Sequence, residues 1–456
     1  MTSSASPDNV TEQPTRVRWL IFALACGSSW FLYLHRYTWN VIGPFLESDL
    51  GLSKTEQGVI FGFFTYTYGF LQIPSGILCD WMGPHFFLGA AIVLWSLLVP
   101  LYGISGGKPG LIAVRLAFGA AQAGAYPSLS KVTATWFPVK TRTIVQGWVA
   151  TFFGRSGGAM SSIIMGTVLI GFFKLDWKWA LIVMGLSGSV FGLIFLKLFR
   201  NSPKDDPRVN DAERALIAEG APPENPDASP VLRFGTAIRN RSMLFFILQQ
   251  ITSAGADNVY VVYMGDYFIN TKGFAITQAG LLISLPLWGG AIGGMLGGFV
   301  NDWVIQLTGS RRWGRSLVGF TGKFIACALM FVAISQDNGV AAAWALFAVK
   351  FFSDWSQPTV WGTCTDIGGR YAATIFGVIN TSGSIGGVIG PPLFGYILDM
   401  NTTKEIVDDV VISSIANYDP LFMTVAALYM ISALCWLLTD CTKSLETQIE
   451  SGNLND

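Results

Sequence analysis

Charge is what this sequence has least of. Asp, Glu, Lys and Arg make up only 13% of its 456 residues, about half of the ~25% in an ordinary soluble domain, so most of its surface is not built for water. Histidine is scarcer still. His35 and His85 are the two present, too few to assemble a Ser-His or metal constellation, so no enzymatic site, metal or cofactor is expected. The cysteines (Cys26, Cys79, Cys327, Cys364, Cys435 and Cys441) are irregularly spaced, mostly inside apolar runs. They read as small packing residues, not as a disulfide or metal framework. A formal net charge of zero implies no nucleic-acid partner. The first 15 residues have no basic segment leading into an apolar core, so no cleavable signal peptide is expected and membrane insertion begins with the first span.

What is present is apolar length. Hydrophobic residues reach 51% and aromatics 14%, mean hydropathy is +0.47, and the 51 glycines are spread among apolar runs, as close helix packing in lipid requires. Runs of about 20 apolar residues predict helices near 19–44, 56–80, 85–104, 111–135, 143–172, 177–199, 243–269, 276–303, 313–335, 340–366, 370–398 and 419–439. The one long polar stretch inside the chain is 200–242, which carries the amphipathic segment Asp211-Ala-Glu-Arg-Ala-Leu-Ile and separates six predicted helices from six. The expected fold is an all-α membrane protein of twelve transmembrane helices in two six-helix bundles, 19–199 and 243–439. The tails 1–18 and 440–456 and the central loop are expected to be cytoplasmic.

That orientation follows from the basic residues. The segments placed inside hold Arg16, Arg18, Lys140, Arg142, Arg200, Lys204, Arg208, Arg214, Arg233, Arg239, Arg241, Arg311, Arg312, Arg315, Arg370 and Lys443. Those placed outside hold Lys54, Lys108, Lys174, Lys178, Lys272 and Lys404, which satisfies the positive-inside rule. Weak repetition supports the split. The second predicted helix ends Gly76-Ile-Leu-Cys-Asp80 and the eighth ends Gly298-Phe-Val-Asn-Asp302, as a duplicated half would, with Asp80 and Asp302 in gating or structural positions. Either Asp alone could equally be a helix cap.

Charges inside the spans need a cause. Lys131 and Lys197 lie near helix ends and can snorkel. Arg36, Arg115, Arg155, Lys323 and Lys350 lie deeper, each at a cost of about 2.5–3.5 kcal/mol, which persists only with a partner. No Asp or Glu occurs between Asp80 and Asp176, and the first helix has none before Glu47, so the three arginines have no acidic partner nearby in sequence. Polar residues surround them at helical spacing: Tyr33, Arg36 and Asn40; Thr65, Tyr68 and Gln72; Arg115, Gly119, Gln122 and Tyr126. A guanidinium fork suits a carboxylate, so a substrate anion is expected to supply the missing charge. The alternative is that backbone carbonyls and tyrosine hydroxyls hold the arginines for structure. In the second half Asp257 shares a face with Gln250, Ser253 and Tyr260, and Lys350, Asp354, Gln357 and Trp361 share another. Lys350 and Asp354, four apart, are expected to pair, with Lys323 also in reach of Asp354. Asn380 and Ser384 add uncharged groups that could grip hydroxyls.

These residues resemble the major facilitator superfamily, and within it the anion:cation symporter branch that carries hexuronates, galactonate, glucarate and related organic acids. The most specific stretch is Arg115-Leu-Ala-Phe-Gly119-Ala-Ala-Gln122-Ala-Gly-Ala-Tyr126-Pro127 with Trp136-Phe137-Pro138 and Arg142; similarity runs from about 18 to 440. The resemblance implies that Arg36 holds the substrate carboxylate, that Tyr68, four before Gln72-Ile73-Pro74, contacts substrate, and that Trp361 and Asn380 line the site. Arg155 falls near a position that is often Gln in relatives, and Gln122 replaces a Glu. The acid that precedes the helix-one arginine in proton-coupled relatives is here His35. Candidates for carrying a coupling proton are therefore His35, Asp257 and Asp354, with Na+ coupling or facilitated diffusion left open. The loop Asp80-Trp81-Met82-Gly83-Pro84-His85 keeps only half of the superfamily's gating motif.

The function expected is uptake of a sugar acid across the inner membrane by alternating access and H+ symport. The site would comprise Arg36, Tyr68, Gln122, Arg155, Trp361 and Asn380, with Arg115 structural or gating. The chain is expected to act as a monomer, its partners a small organic anion, a coupling ion and the bilayer. Alternatives are an organophosphate:phosphate antiporter, which in relatives uses an arginine on helix seven that 243–269 lacks, and a transport-incompetent membrane sensor on the same fold.

Overall fold

The computed structural model describes residues 13–219, 240–368, 372–407 and 410–444. Arg233, Arg239 and Arg370, most of the central loop and the tail beyond 444 lie outside the described residues. Helices dominate. In chain order they are α1 (Val17–Arg36), α2 (Thr38–Leu50), α3 (Lys54–Met82), α4 (Pro84–Leu98), α5 (Lys108–Gln122), α6 (Ala125–Trp136), α7 (Val139–Gly147), α8 (Gly154–Ser161) and α9 (Trp177–Leu198). After α10 (Asp211–Ala218) come α11 (Arg241–Asp257), α12 (Val259–Val262), α13 (Met264–Asp266), α14 (Ile276–Thr308), α15 (Arg311–Ile334), α16 (Gly339–Trp355), α17 (Gln357–Gly368), α18 (Ala372–Met400) and α19 (Asp419–Leu438). Each apolar run read from the sequence coincides with one of these helices or with two or three laid end to end. The end-to-end breaks follow local chemistry. Tyr37 interrupts α1 and α2, and π-helical turns at Trp148–Phe153 and Ser162–Phe172 flank the glycine-rich α8.

Among the described residues, six segments are long and apolar enough to cross a bilayer by length and composition: Val17–Leu50, Pro84–Gly103, Trp177–Leu198, Ile276–Thr308, Arg311–Ile334 and Asp419–Leu438. The other long segments are interrupted or carry more polar residues, several of which turn inward as described below. One expectation is corrected. The chain is not wholly helical, because β1 (Thr402–Val407) and β2 (Val410–Ala416) form an antiparallel hairpin with an irregularity at Glu405/Ile406. Its sequence, Thr-Thr-Lys-Glu-Ile-Val and Val-Val-Ile-Ser-Ser-Ile-Ala, is rich in β-branched residues that favour a pleated strand.

Contacts between helices before residue 200 and those after 240 run along two seams. In one, α3 packs on α18, and a Cβ on Gly58 would stand 2.3 Å from the Pro391 carbonyl oxygen. In the other, α14 packs on α8 and Ser162–Phe172, with Gly280 equally tight against the Ser162 carbonyl at 2.5 Å. Only glycine allows these approaches.

Helix α10 does not drift free. Its Glu213, fully buried, reaches the start of α1: Oε2 accepts from the Val17 amide at 2.9 Å and the Thr15 hydroxyl at 2.5 Å, and Oε1 from the Arg18 amide at 3.1 Å. A residue about 196 positions away thus satisfies amides that a helix start leaves without partners. The start of α1 and α10 together mark one end of the molecule, the near end.

Candidate functional site

A cavity of about 230 Å³ opens where α1, α3, α8, α11, α17 and α18 face one another. That is smaller than the ~300–1,000 Å³ of drug-sized ligand sites, and suits a compact solute. One wall is aromatic, with Tyr33, Tyr37, Phe61, Phe64 and Tyr68; Arg36 and Arg155 reach into the same space; Asp257, Gln250, Ser253, Asn258, Gln357, Thr65 and Ser384 supply the other polar groups.

Arg36 is aimed by its neighbours. Nε and Nη2 both donate to Gln122 Oε1, at 3.2 and 3.1 Å, while Gln122 Nε2 donates to the Leu32 carbonyl at 3.1 Å. The guanidinium carbon lies 4.7 Å from the Tyr68 ring centroid, 4.8 Å from Phe64 and 5.1 Å from Tyr33, within cation–π range. Among the described residues no carboxylate pairs with it. Gln122 itself is fully buried behind Arg36 and does not line the cavity, so it positions the arginine instead of meeting a solute.

Arg155 departs from the expectation that the N-terminal arginines have no acidic partner. Its Nε lies 3.1 Å from Asp354 Oδ2 and its Nη2 3.7 Å from Asp257 Oδ2. The partners were invisible locally because they stand on α11 and α16, brought across by the packing of α8 on α14. Lys350 holds the same two acids more closely, at 2.6 Å to Asp354 Oδ1, as the four-residue spacing led one to expect, and at 2.8 Å to Asp257 Oδ2, which that spacing did not reveal. Tyr429 donates to Asp257 at 3.2 Å. Lys323 does not reach Asp354. It donates to the Ser253 and Ser353 hydroxyls at 2.6 and 2.9 Å, over the Tyr429 ring.

Other expected residues fall elsewhere. Trp361, placed in the site by resemblance, is 43% exposed, stacks on Phe376 at 4.4 Å and lies outside the cavity; it sits one turn beyond Gln357, which does line it. Asn380 also misses the cavity wall, donating instead to Gln72 Oε1 at 2.7 Å between α18 and α3. His35, adjacent to Arg36 in sequence, is rotated about 100° round the helix, buried against α9 with Nε2 3.0 Å from the Met184 carbonyl, away from the solute space. Asp80 pairs with Lys131 at 2.8 Å. Asp302 accepts from Asn301 at 3.3 Å, and the two do not form equivalent latches.

Arg115 is fully buried in a box of rings, 4.0 Å from Trp39, 4.7 Å from Phe61, 5.2 Å from Tyr102 and 5.6 Å from Phe64. It donates to the Tyr102 hydroxyl at 3.3 Å. Here the structural alternative weighed for the arginines matches the geometry.

A group that sequence reasoning missed closes the end opposite the near end. Lys54, assigned to an outer loop, is buried and bridges Glu47 and Asp266, each at 2.9 Å. Asp266 also accepts from Tyr418 at 2.6 Å, and Asp399 at the end of α18 accepts from the amides of Lys54 at 3.1 Å and Thr55 at 2.8 Å. Residues from both sides of the central loop thus interlock across the far end. The capping box Ser53-Lys-Thr-Glu56 was readable in the sequence; the long-range acids were not.

The Major Facilitator Superfamily profile matches residues 20–391. The chain belongs to that superfamily. Over 399 residues it is 28% identical to the probable sulfoacetate transporter of Cupriavidus necator, covering 87% of this chain and 90% of that one. It is 26% identical to the probable galactarate/D-glucarate transporter of Bacillus subtilis, over 84% of this chain and 86% of the relative. With the hexuronate transporter of Bacillus subtilis it shares 25% identity over 81% and 86% of the two chains. The fold matches a bacterial homologue of the human lysosomal transporter Spinster, with a TM-score of 0.69, 14% identity and coverage of 93% of this chain and 95% of that one. This major facilitator protein is accordingly a multi-pass membrane transporter, similar to the anion:cation symporter branch, and not an enzyme.

Proposed function

We propose that the chain is a secondary active transporter that takes up an organic acid, with sugar acids as the substrate class, across the inner membrane by alternating access. It spans the bilayer twelve times, as bundles 19–199 and 243–439, with both termini cytoplasmic. The observation that carries the substrate reading is Arg36: a cation in the cavity wall, oriented by Gln122 and three aromatic rings, with no carboxylate of the described chain upon it. An incoming carboxylate completes it bidentately. The relatives named for sulfoacetate, galactarate/D-glucarate and hexuronate support an acidic substrate, and the hydroxyl and amide groups of Thr65, Ser384, Gln250 and Gln357 suit one bearing hydroxyls.

With the far end interlocked through Lys54, Asp266 and Asp399, this is a state closed on the outside in the proposed orientation. Solute binding favours the switch only as far as the occluded state holds the anion more tightly. Coupling is to H+, with Asp257 and Asp354 as the proton-exchanging pair; His35 is set apart by its place against α9. The test is uptake of a labelled sugar acid by proteoliposomes: saturable transport that survives Arg36→Gln unchanged would end the proposal.

A further inference from the structure

The substrate's charge is legible in the balance of the cavity. Two charged clusters border it, the second through Arg155 and Asp257. Arg36 contributes one positive charge and, among the described residues, no carboxylate offsets it. Opposite, Arg155 and Lys350 pair with Asp257 and Asp354, and Lys323 stands beside them on the Ser253 and Ser353 hydroxyls, three cations to two acids. The excess over both clusters is two positive charges. Buried charge persists where it is paired, and a solute with one acidic group leaves one of these two cations uncompensated.

Arg155 is the member free to answer. Lys350 already holds both carboxylates at 2.6 and 2.8 Å, whereas Arg155 stands at 3.1 and 3.7 Å. The closer of its two contacts falls on Asp354 Oδ2, an oxygen that accepts no hydrogen bond, so Arg155 forms an ion pair there without hydrogen-bond alignment. Its guanidinium lines the same cavity as Arg36. Turning it from Asp354 onto a solute leaves each Asp still bridged by Lys350.

We infer that the transported solute is a compact dianion, one acidic group held by Arg36 and the second, a carboxylate or sulfonate, by Arg155. This rests on the proposed reading of Arg36 as an anion site and adds the second charge. Arg155 then becomes the residue that separates diacids from monoacids of the same length.

The test is calorimetric titration of the full-length protein in nanodiscs with matched pairs. D-glucarate is set against D-gluconate, which differs by one carboxylate, and sulfoacetate against glycolate. The wild-type protein is expected to prefer the dianion by about 10-fold or more in at least one pair, the range of a hydrogen bond to a charged group. Arg155→Gln should erase that preference by weakening the dianion alone, and Arg36→Gln should weaken both members. Equal affinity within both pairs in the wild type, or an Arg155→Gln loss shared by dianion and monoanion, overturns the inference. The wild-type comparison decides even if Arg155→Gln fails to fold. Monoanion binding that is untouched by Arg36→Gln strikes the anion-site reading instead, and binding by neither pair defeats both.

Discussion

Arg36 meets Tyr68 through the face of the ring, 4.7 Å from guanidinium carbon to centroid, and Tyr68 in turn stacks on Phe64 at 5.6 Å. The ring acts as a shelf for the cation. Tyr68→Phe should therefore keep most of the binding, and Tyr68→Leu should weaken it by roughly 3- to 30-fold, the range of a partly desolvated cation–π contact. Titration of the two variants beside the wild type checks this, and a larger loss in Tyr68→Phe would mean that the hydroxyl carries the contact.

Gln122 is the more informative substitution. Its Oε1 stands 3.1–3.2 Å from Arg36, so Gln122→Glu sets a carboxylate against the guanidinium from behind and supplies the charge the substrate is expected to bring, and substrate affinity should fall at least ~10-fold at neutral pH. Gln122→Met keeps the volume and removes the guide, and should raise KM more than it lowers the maximal uptake rate. Uptake kinetics in proteoliposomes distinguish the two.

Coupling should separate from binding at Asp257. In Asp257→Asn, homoexchange of labelled substrate is expected to continue, while accumulation driven by an inward proton gradient is lost. Wild-type accumulation in the variant would remove Asp257 from the coupling pathway.

Lys54 should hold the far end shut. Removing one partner of a buried ion pair leaves an uncompensated charge, so Lys54→Met is expected to shift the protein toward states open at that end. A cysteine placed at Val261, which lines the cavity, should then react faster with an impermeant maleimide added from outside; the native cysteines are all buried. An unchanged labelling rate would show that the seams alone close this end.

How far the sequence carried can be judged residue by residue. Helix positions were legible because a membrane-spanning helix declares itself by twenty apolar residues in a row, and the place of Arg36 in the cavity wall because a deep charge with no local partner turns inward to a polar space. Arg155 carried the same signal, and in this state acids of the chain itself answer it. Its acids lie on helices some 100 and 200 residues later, and no local pattern reveals a pairing made by tertiary packing. Trp361 and Asn380 were placed by helix face and by resemblance, and each falls one helical turn from a residue that does line the cavity, Gln357 and Ser384, outside the wall. Lys54 was read as a loop lysine because Asp266, which buries its ammonium together with Glu47, stands 212 residues away. The hairpin after α18 went unseen because two strands of six and seven residues resemble any polar loop in a hydropathy scan.

The clasp of Glu213 on the start of α1 has a bearing on biogenesis. The first helix is synthesised long before its own terminus can be finished, since the carboxylate that satisfies the Val17 and Arg18 amides leaves the ribosome only after α9 has been made. Until then the leading edge of the first helix has only water or lipid headgroups to bond. Its final seating is therefore a late, post-insertion event, and one that a tag fused close to Thr15 would obstruct.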